Sequence, residues 1–265
     1  MQTIKLVSWN VGIRIDNTEK VIDFLIKESP DIICLQEVAD HQEKSAKKMF
    51  QVKADLDNSL CKLYPYCSFS PLWEAKGFFK SRRELDFGGL IKQGNAIYSK
   101  YKILNQSTDF VHREYLQMID WSNFRKEDHG RALQTIELRV EGGDLRIMNI
   151  HGIWTTDKMG DERTENEANF ILEIVGEKDS PVLIAGDFNL LPKSSAIKKL
   201  SKKLRNLIIE DKNISITRPR FEDGLAAGGN IIDYIFTTKN IKISDFRVSK
   251  VNISDHYPLI TEFSV

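Results

Sequence analysis

The sequence predicts an α/β fold, one domain over residues 1–265, in which strands and surface helices alternate. Three observations predict it. Short apolar runs rich in β-branched residues recur from Ile4 to Phe263. Stretches with apolar residues at helical spacing lie between many of them. No linker, low-complexity segment or solenoid-length repeat divides the chain. At 265 residues a sizeable core can form.

Taken in order, residues 5–8 are a strand that leads into Trp9 and Asn10, and Gly12 then opens a loop. Residues 18–28 form a helix with Val21, Phe24, Leu25 and Ile26 on its apolar face and Asn17 or Thr18 as its cap. A second buried run, 32–35, ends in Gln36 and Glu37. Residues 40–60 carry only a sparse apolar stripe (Ala46, Met49, Phe50, Leu56, Leu60) and read as one or two surface helices, and 64–69 as a short strand. Residues 72–94 hold Trp73, Phe78, Phe79, Lys80, Arg82, Arg83 and Phe87 with a Gly88-Gly89 pair, and read as a long loop. Basic and aromatic residues interleaved in this way can flank a nucleic acid or nucleotide. Aromatics packed down onto the core give the same pattern.

Residues 95–98 return as a strand, and 108–130, with Trp121, Arg125, Lys126 and His129, read as a second excursion. Residues 131–140 alternate apolar and polar, turn at Gly142-Gly143 and pair with 145–150, which end in His151. Residues 161–176 and 194–204 are amphipathic helices, the second capped by Ser194 or Ser195. Between them, 182–185 has the composition of a strand buried on both faces; Gly186 breaks it just before Asp187 and Asn189. Residues 206–220 are mixed, 222–229 form a glycine-rich loop, and 231–236, 242–250 and 259–263 are strands.

Composition sets limits. The 38 basic and 38 acidic side chains cancel, which argues against non-specific coating of DNA but permits a local basic surface facing a polyanion. Cys34, Cys61 and Cys67 include no Cys-x-x-Cys spacing, which argues against a disulfide framework and a zinc centre. No apolar run is long enough to span a bilayer, and the N-terminus lacks a secretory apolar segment. A cytoplasmic protein with no membrane span and no obligate protein partner is expected.

Function is carried by polar residues at the ends of the apolar runs: Asn10, Glu37, His151, Asp187 with Asn189, Asp233, and Asp255 with His256. Strand ends gathered at one rim make a polar pocket over an apolar core. Glu37, Asp255 and Asn10 are hard oxygen donors suited to Mg²⁺ or Mn²⁺. Asp187 can activate or orient a water, and Asn189 can bind phosphate or fix that water. His151 and His256, if protonated, can neutralise developing charge, and Asp233 can orient a histidine. Together these suit metal-assisted phosphoester hydrolysis. Trp154 can form an aromatic wall, and Lys80, Arg82 and Arg83 are the candidate contacts to a phosphate backbone. His41, His112 and His129 lie outside every motif and read as surface residues.

The segments S-W-N (8–10), L-Q-E (35–37), G-N-A-I (94–97), I-H (150–151), G-D-F-N (186–189), I-D-Y-I-F (232–236) and S-D-H (254–256) come in one order along almost the whole chain. In this the chain resembles the endonuclease/exonuclease/phosphatase superfamily, the deoxyribonuclease I-like fold. The resemblance implies a four-layer α/β sandwich, two mixed sheets face to face with helices outside. It implies Mg²⁺ held mainly by Glu37 with Asn10 and Asp255 nearby. It further implies Asp187 as water activator, Asn189 as phosphate or water ligand, Asp233 paired with His256, and both histidines at the phosphate. Apurinic endonucleases of the superfamily usually have Asp where this chain has Gly12 and Tyr where it has His151, so abasic-site repair is not expected. The expected activity is phosphodiester hydrolysis on a nucleic acid or nucleotide. The alternatives are a phosphatase or phospholipase C-type hydrolase on inositol phosphates or sphingolipids, and a catalytically dead binding module.

Overall fold

The computed structural model describes residues 2–12, 18–41, 43, 50–80, 83–117, 129–176, 180–219 and 229–265, with the backbone alone for 77–80 and 83–88. The strands are β1 (Ile4–Asn10), β2 (Ile32–His41), β3 (Tyr66–Lys80), β4 (Arg83–Ser99), β5 (Ile103–His112), β6 (Arg131–Val140), β7 (Gly143–His151), β8 (Val182–Asp187), β9 (Arg205–Asn206), β10 (Asp233–Thr237), β11 (Lys242–Val248) and β12 (Leu259–Ser264). The helices are α1 (Thr18–Glu28), α2 (Val52–Leu60), α3 (Glu162–Val175), α4 (Ser195–Lys203) and α5 (Leu207–Glu210).

Two six-stranded mixed sheets face each other, ordered β11-β12-β1-β2-β4-β3 and β5-β6-β7-β8-β10-β9. Each has one parallel pair at its centre, β1 with β2 and β7 with β8, flanked by antiparallel neighbours. Alternation assigns the faces. In β1, Ile4 and Leu6 join the core between the sheets, while Val7 and Trp9 pack with Val21 and Leu25 of α1 and Leu56 and Leu60 of α2. Ala168 and Ile171 of α3 and Ile197 and Leu200 of α4 cover the second sheet. The two sheets with flanking helices are the architecture that the resemblance implied.

The helix ends follow the sequence signals. Asp161 caps α3, accepting from the backbone N–H groups of Arg163 and Thr164, and Gly176 ends it with a φ of 72°. Ser194 caps α4, accepting from Ile197 N–H at 3.3 Å.

Three expectations are corrected. The supposed loop at 72–94 belongs to a long hairpin, β3 paired with β4. Register shifts between Pro71 and Trp73 and between Ala75 and Gly77 break the two-residue alternation that would have revealed it. Residues 103–112 are the edge strand β5, whose polar, exposed side chains hide its strand character. Asp40 and His41 extend β2 rather than starting a helix, pairing with Lys92 and Ile91 of β4. His41 is buried, its Nδ1 accepting from Glu43 N–H at 2.9 Å. Asn17, Ala46, Met49, Trp121, Arg125, Lys126 and all but the last residue of the 222–229 loop lie outside the described residues.

Gly186 is required where the sequence places it. Its φ is +150°, and a Cβ there would lie 1.9 Å from the carbonyl oxygen of Ile150 on β7. Gly186→Ala is expected to destabilise the fold by about 3–5 kcal/mol, strain and overpacking combined. Denaturant titration checks this; a loss below about 1 kcal/mol would mean that β7 and β8 part without cost.

Candidate active site

Strand register builds the floor of the site. Asp187 pairs with His151 across the parallel β7–β8 ladder and with Asp233 across the antiparallel β10–β8 ladder. Three polar side chains therefore stand side by side at the ends of adjacent strands. Asn10 meets them from the other sheet. Its Nδ2 donates to Asp187 Oδ2 at 3.0 Å and to Glu37 Oε1 at 3.3 Å. Glu37 depends on a local distortion: the β2–β4 register shifts between Leu35 and Val38, and Glu37 takes a φ of 58°. A bulge re-aims a side chain. Without it, alternation would turn Glu37 toward α1 and α2 with Leu35.

Below this floor the sheets are joined by buried carboxamides. Gln36 Nε2 donates to Asn149 Oδ1 at 2.7 Å, and Asn149 Nδ2 donates to Leu35 O at 3.0 Å and Gln134 Oε1 at 3.1 Å. Gln36 precedes Glu37, and Asn149 lies two residues before His151, so the cross-link fixes the depth of both.

Asp187 Oδ2 is the hub. His151 Nε2 and His256 Nε2 each lie 3.7 Å from it, and His151 Nε2 is also 3.7 Å from Glu37 Oε1. Asp187 Oδ1 accepts from Asn189 N–H at 2.8 Å. Asp233 grips His256 Nδ1 at 2.9 and 3.0 Å, and Thr217 Oγ1 donates to Asp233 Oδ2 at 2.6 Å. Asp255 accepts from Arg218 Nη2 at 2.7 Å. Ser254 Oγ donates to Asn10 O at 2.7 Å, tying the S-D-H segment to the end of β1.

The two histidines differ in charge. Burial holds His151 well below the ordinary imidazole range, and Arg131 and His256 nearby add to it. Both effects favour the neutral imidazole over the protonated one. Burial also disfavours protonated His256, but Asp233 and Asp187 outweigh it and push the pKa to about 10. Burial raises the Asp187 carboxyl, with His256 pulling against it. Enclosure raises Glu37 as well, and the Asp255 charge adds to that. Asp255 lies below its ordinary value because His256 and Arg218 offset its desolvation.

This donor set fits a divalent cation. Glu37 and Asp255 repel each other, which a cation between hard oxygen donors relieves. Asp187, Asp233 and His256 also place one ligand atom each within 4.8 Å of one another. That trio is already closed, since Asp233 is committed to His256 Nδ1 and Thr217.

Among the sequence-derived candidates, Asn10, Glu37, His151, Asp187, Asn189, Asp233, Asp255 and His256 come together. Trp154 is half-buried in the loop after β7, with Lys158 Nζ 5.9 Å from its ring centroid. Arg82 and the side chains of Lys80 and Arg83 lie outside the described residues. Sequence reasoning missed Lys158, Arg131, Arg218, Thr217 and Glu167. Buried Arg131, at the start of β6, is close enough to interact with Glu37, Asp187 and Glu167. Glu167 on α3 accepts from Ile153 N–H at 3.1 Å, and burial raises its carboxyl to about 8. These residues lie in no motif; the burial of Lys158, Arg131 and Glu167 and the contacts of Thr217 and Arg218 to Asp233 and Asp255 are visible only in three dimensions. His129, read as a surface residue, is half-buried edge-on to Trp73 and contributes to holding His151 neutral.

A face-to-face pair of mixed sheets thus gathers carboxylates, carboxamides and imidazoles at one rim. The chain belongs to the Endonuclease/Exonuclease/phosphatase family, whose model matches residues 7–256. Members of that family are hydrolases of phosphoester bonds and generally use a divalent metal. A UPF0294 protein of Vibrio vulnificus is 25% identical over 152 residues, 57% of this chain and 49% of that protein. The chain thus spans about half the length of the curated relatives it matches. An endonuclease/exonuclease/phosphatase structure from Beutenbergia cavernae superposes with a TM-score of 0.73 at 16% identity, covering 100% of this chain and 72% of that one. The human Nocturnin catalytic domain, with a bound sulfate anion, gives 0.67 at 19% identity, covering 99% and 94%. No helix among the described residues is long and apolar enough to cross a membrane.

Proposed function

We propose that the chain, acting as one unit over residues 1–265, is a Mg²⁺-dependent phosphodiesterase, Mn²⁺ substituting, that cleaves a nucleic acid or nucleotide by in-line attack of an activated water. One observation carries this reading: Asp187 Oδ2 lies within 3.7 Å of both His151 and His256 and within 3.0 Å of Asn10. A base, a neutral donor and a cation thereby meet around one oxygen atom.

Glu37 and Asp255, with Asn10 beside them, would hold the metal. When bound it supplies charge neutralisation at the phosphoryl group and a fixed position for substrate oxygen. Asp187 takes the proton of the attacking water, its raised proton affinity making it a better base than an exposed carboxylate. Asn10 and Asn189 N–H hold that carboxylate in place. Neutral His151 offers a hydrogen bond to a phosphoryl oxygen. Cationic His256, oriented by Asp233, stabilises the charge that develops as the leaving oxygen departs. Asn189 orients phosphate or water. Lys80, Arg82, Arg83 and Trp154 contact the rest of the substrate. We assign the protein to the cytoplasm, where its free Cys34, Cys61 and Cys67 would stay reduced.

The test is a panel of single- and double-stranded DNA, RNA, and DNA bearing 5′-tyrosyl or 3′-phosphate ends, with and without EDTA. Turnover on at least one substrate, lost with EDTA and restored by Mg²⁺, is expected. Metal-independent turnover, or none at all, would sink the proposal. Release of inorganic phosphate or phosphocholine from small phosphoesters instead would reassign the enzyme as a phosphatase or phospholipase C-type hydrolase. For Glu37→Ala, the Mg²⁺ concentration giving half-maximal rate is expected to rise at least about tenfold with the fold intact. An unfolded Glu37→Ala chain would make Glu37 structural.

A further inference from the structure

We propose that Lys158 is a positioning residue for Asn189, an inference that rests on the phosphodiesterase reading. Lys158 lies in the loop between β7 and α3, outside every motif, and its side chain is more than nine-tenths buried, at 8% exposure. A buried ammonium needs a partner. Its Nζ donates to Asn189 Oδ1 at 3.2 Å, and Asn189 Nδ2 donates to Gly152 O at 3.2 Å. The carboxamide is therefore gripped at both ends.

The chemistry of the pair sets its orientation. An ammonium carries three donors and no acceptor, so the amide oxygen must face Lys158 and the NH₂ group must face away. One Nδ2 hydrogen goes to Gly152, and the other is left to be offered to phosphate or water. Gly152 O asks for the NH₂ end as well, so ammonium and carbonyl select one orientation together; without the ammonium the single Gly152 contact holds the carboxamide, and its remaining N–H is no longer fixed toward the phosphate. The backbone is built to aim this side chain. Lys158 has a φ of 56° and Asn189 a φ of 57°, both unusual outside glycine. Lys158 O also accepts from Leu191 N–H at 2.8 Å, stitching its loop to the one that carries Asn189.

Two measurements test this. In the first, the side-chain amide signal of Asn189, assigned by its loss in Asn189→Ala, is followed by ¹⁵N NMR without substrate. Lys158→Met is expected to shift or broaden it, and Lys158→Gln, which keeps a donor, to restore it partly. In the second, Lys158→Met is expected to lower kcat about 10–100-fold with KM held within about threefold, the effect of a misplaced group rather than lost binding. In the Asn189→Ala background the same change should cost little more. An unmoved amide signal, independent losses that multiply, or a raised KM at unchanged kcat overturns the proposal. If the wild type cleaves nothing on the panel, the phosphodiesterase reading falls and the amide signal alone decides the role of Lys158. Should Lys158→Met fail to fold, Lys158→Gln carries both readouts, with partial displacement of the signal and partial loss of kcat expected.

Discussion

Asp187→Asn is expected to lower kcat by about 10²–10⁴-fold, the usual contribution of a positioned general base, and to gain stability relative to wild type as pH rises from acid to neutral. The rate loss follows from geometry. The carboxylate is buried and held by Asn10 and Asn189, so an amide fits the same space but cannot take a proton. The stability trend follows from charge. Burial raises the Asp187 carboxyl above its unfolded value, so ionising it in the folded chain costs stability as pH rises through the raised value. A neutral Asn removes that pH dependence, but its NH₂ meets a donor at Asn10 or Asn189 and His256 loses a partner, so linkage fixes the trend: the variant gains on wild type between acid and neutral pH. Melting curves from pH 4 to pH 8 with EDTA, beside rate measurements, check both halves. A variant with wild-type kcat removes Asp187 from the chemistry. A stability difference from wild type that does not move with pH contradicts the charge argument.

His256→Gln is expected to lower kcat by about 10²–10³-fold, comparable to deleting one preorganised donor at a developing charge, and to cost stability below neutral pH. His256 is protonated up to about pH 10 in the folded chain, against an ordinary value of 6.5. Its raised pKa therefore stabilises the fold fully below about pH 6.5, and the contribution fades as pH climbs toward about 10. The variant should melt below wild type at pH 6, and the gap should close by pH 10. A constant gap would mean that packing, rather than the pairing with Asp233 and Asp187, accounts for the loss.

Much of the site was legible in the sequence because its residues sit at strand ends, where hydrophobic runs stop abruptly. The ladder that aligns His151, Asp187 and Asp233 follows from runs that alternation alone could place. Helices α1, α3 and α4 were found with near-correct bounds because each has a clear apolar face. The β3–β4 hairpin and β5 were missed for the reverse reason: bulges destroy the period of one, and an exposed polar edge never shows a period in the other.

The chain's linear order by itself determined the fold class, the strand-end chemistry and the family, since each rests on local runs and short ordered segments. Only the tertiary structure decided which way Glu37 points, why one histidine is neutral and the other charged, and that Lys158, Arg131 and Arg218 join the carboxylates. Proton affinity and hydrogen-bond orientation depend on neighbours a few ångströms away, and here those neighbours arrive from strands and loops far apart in the chain.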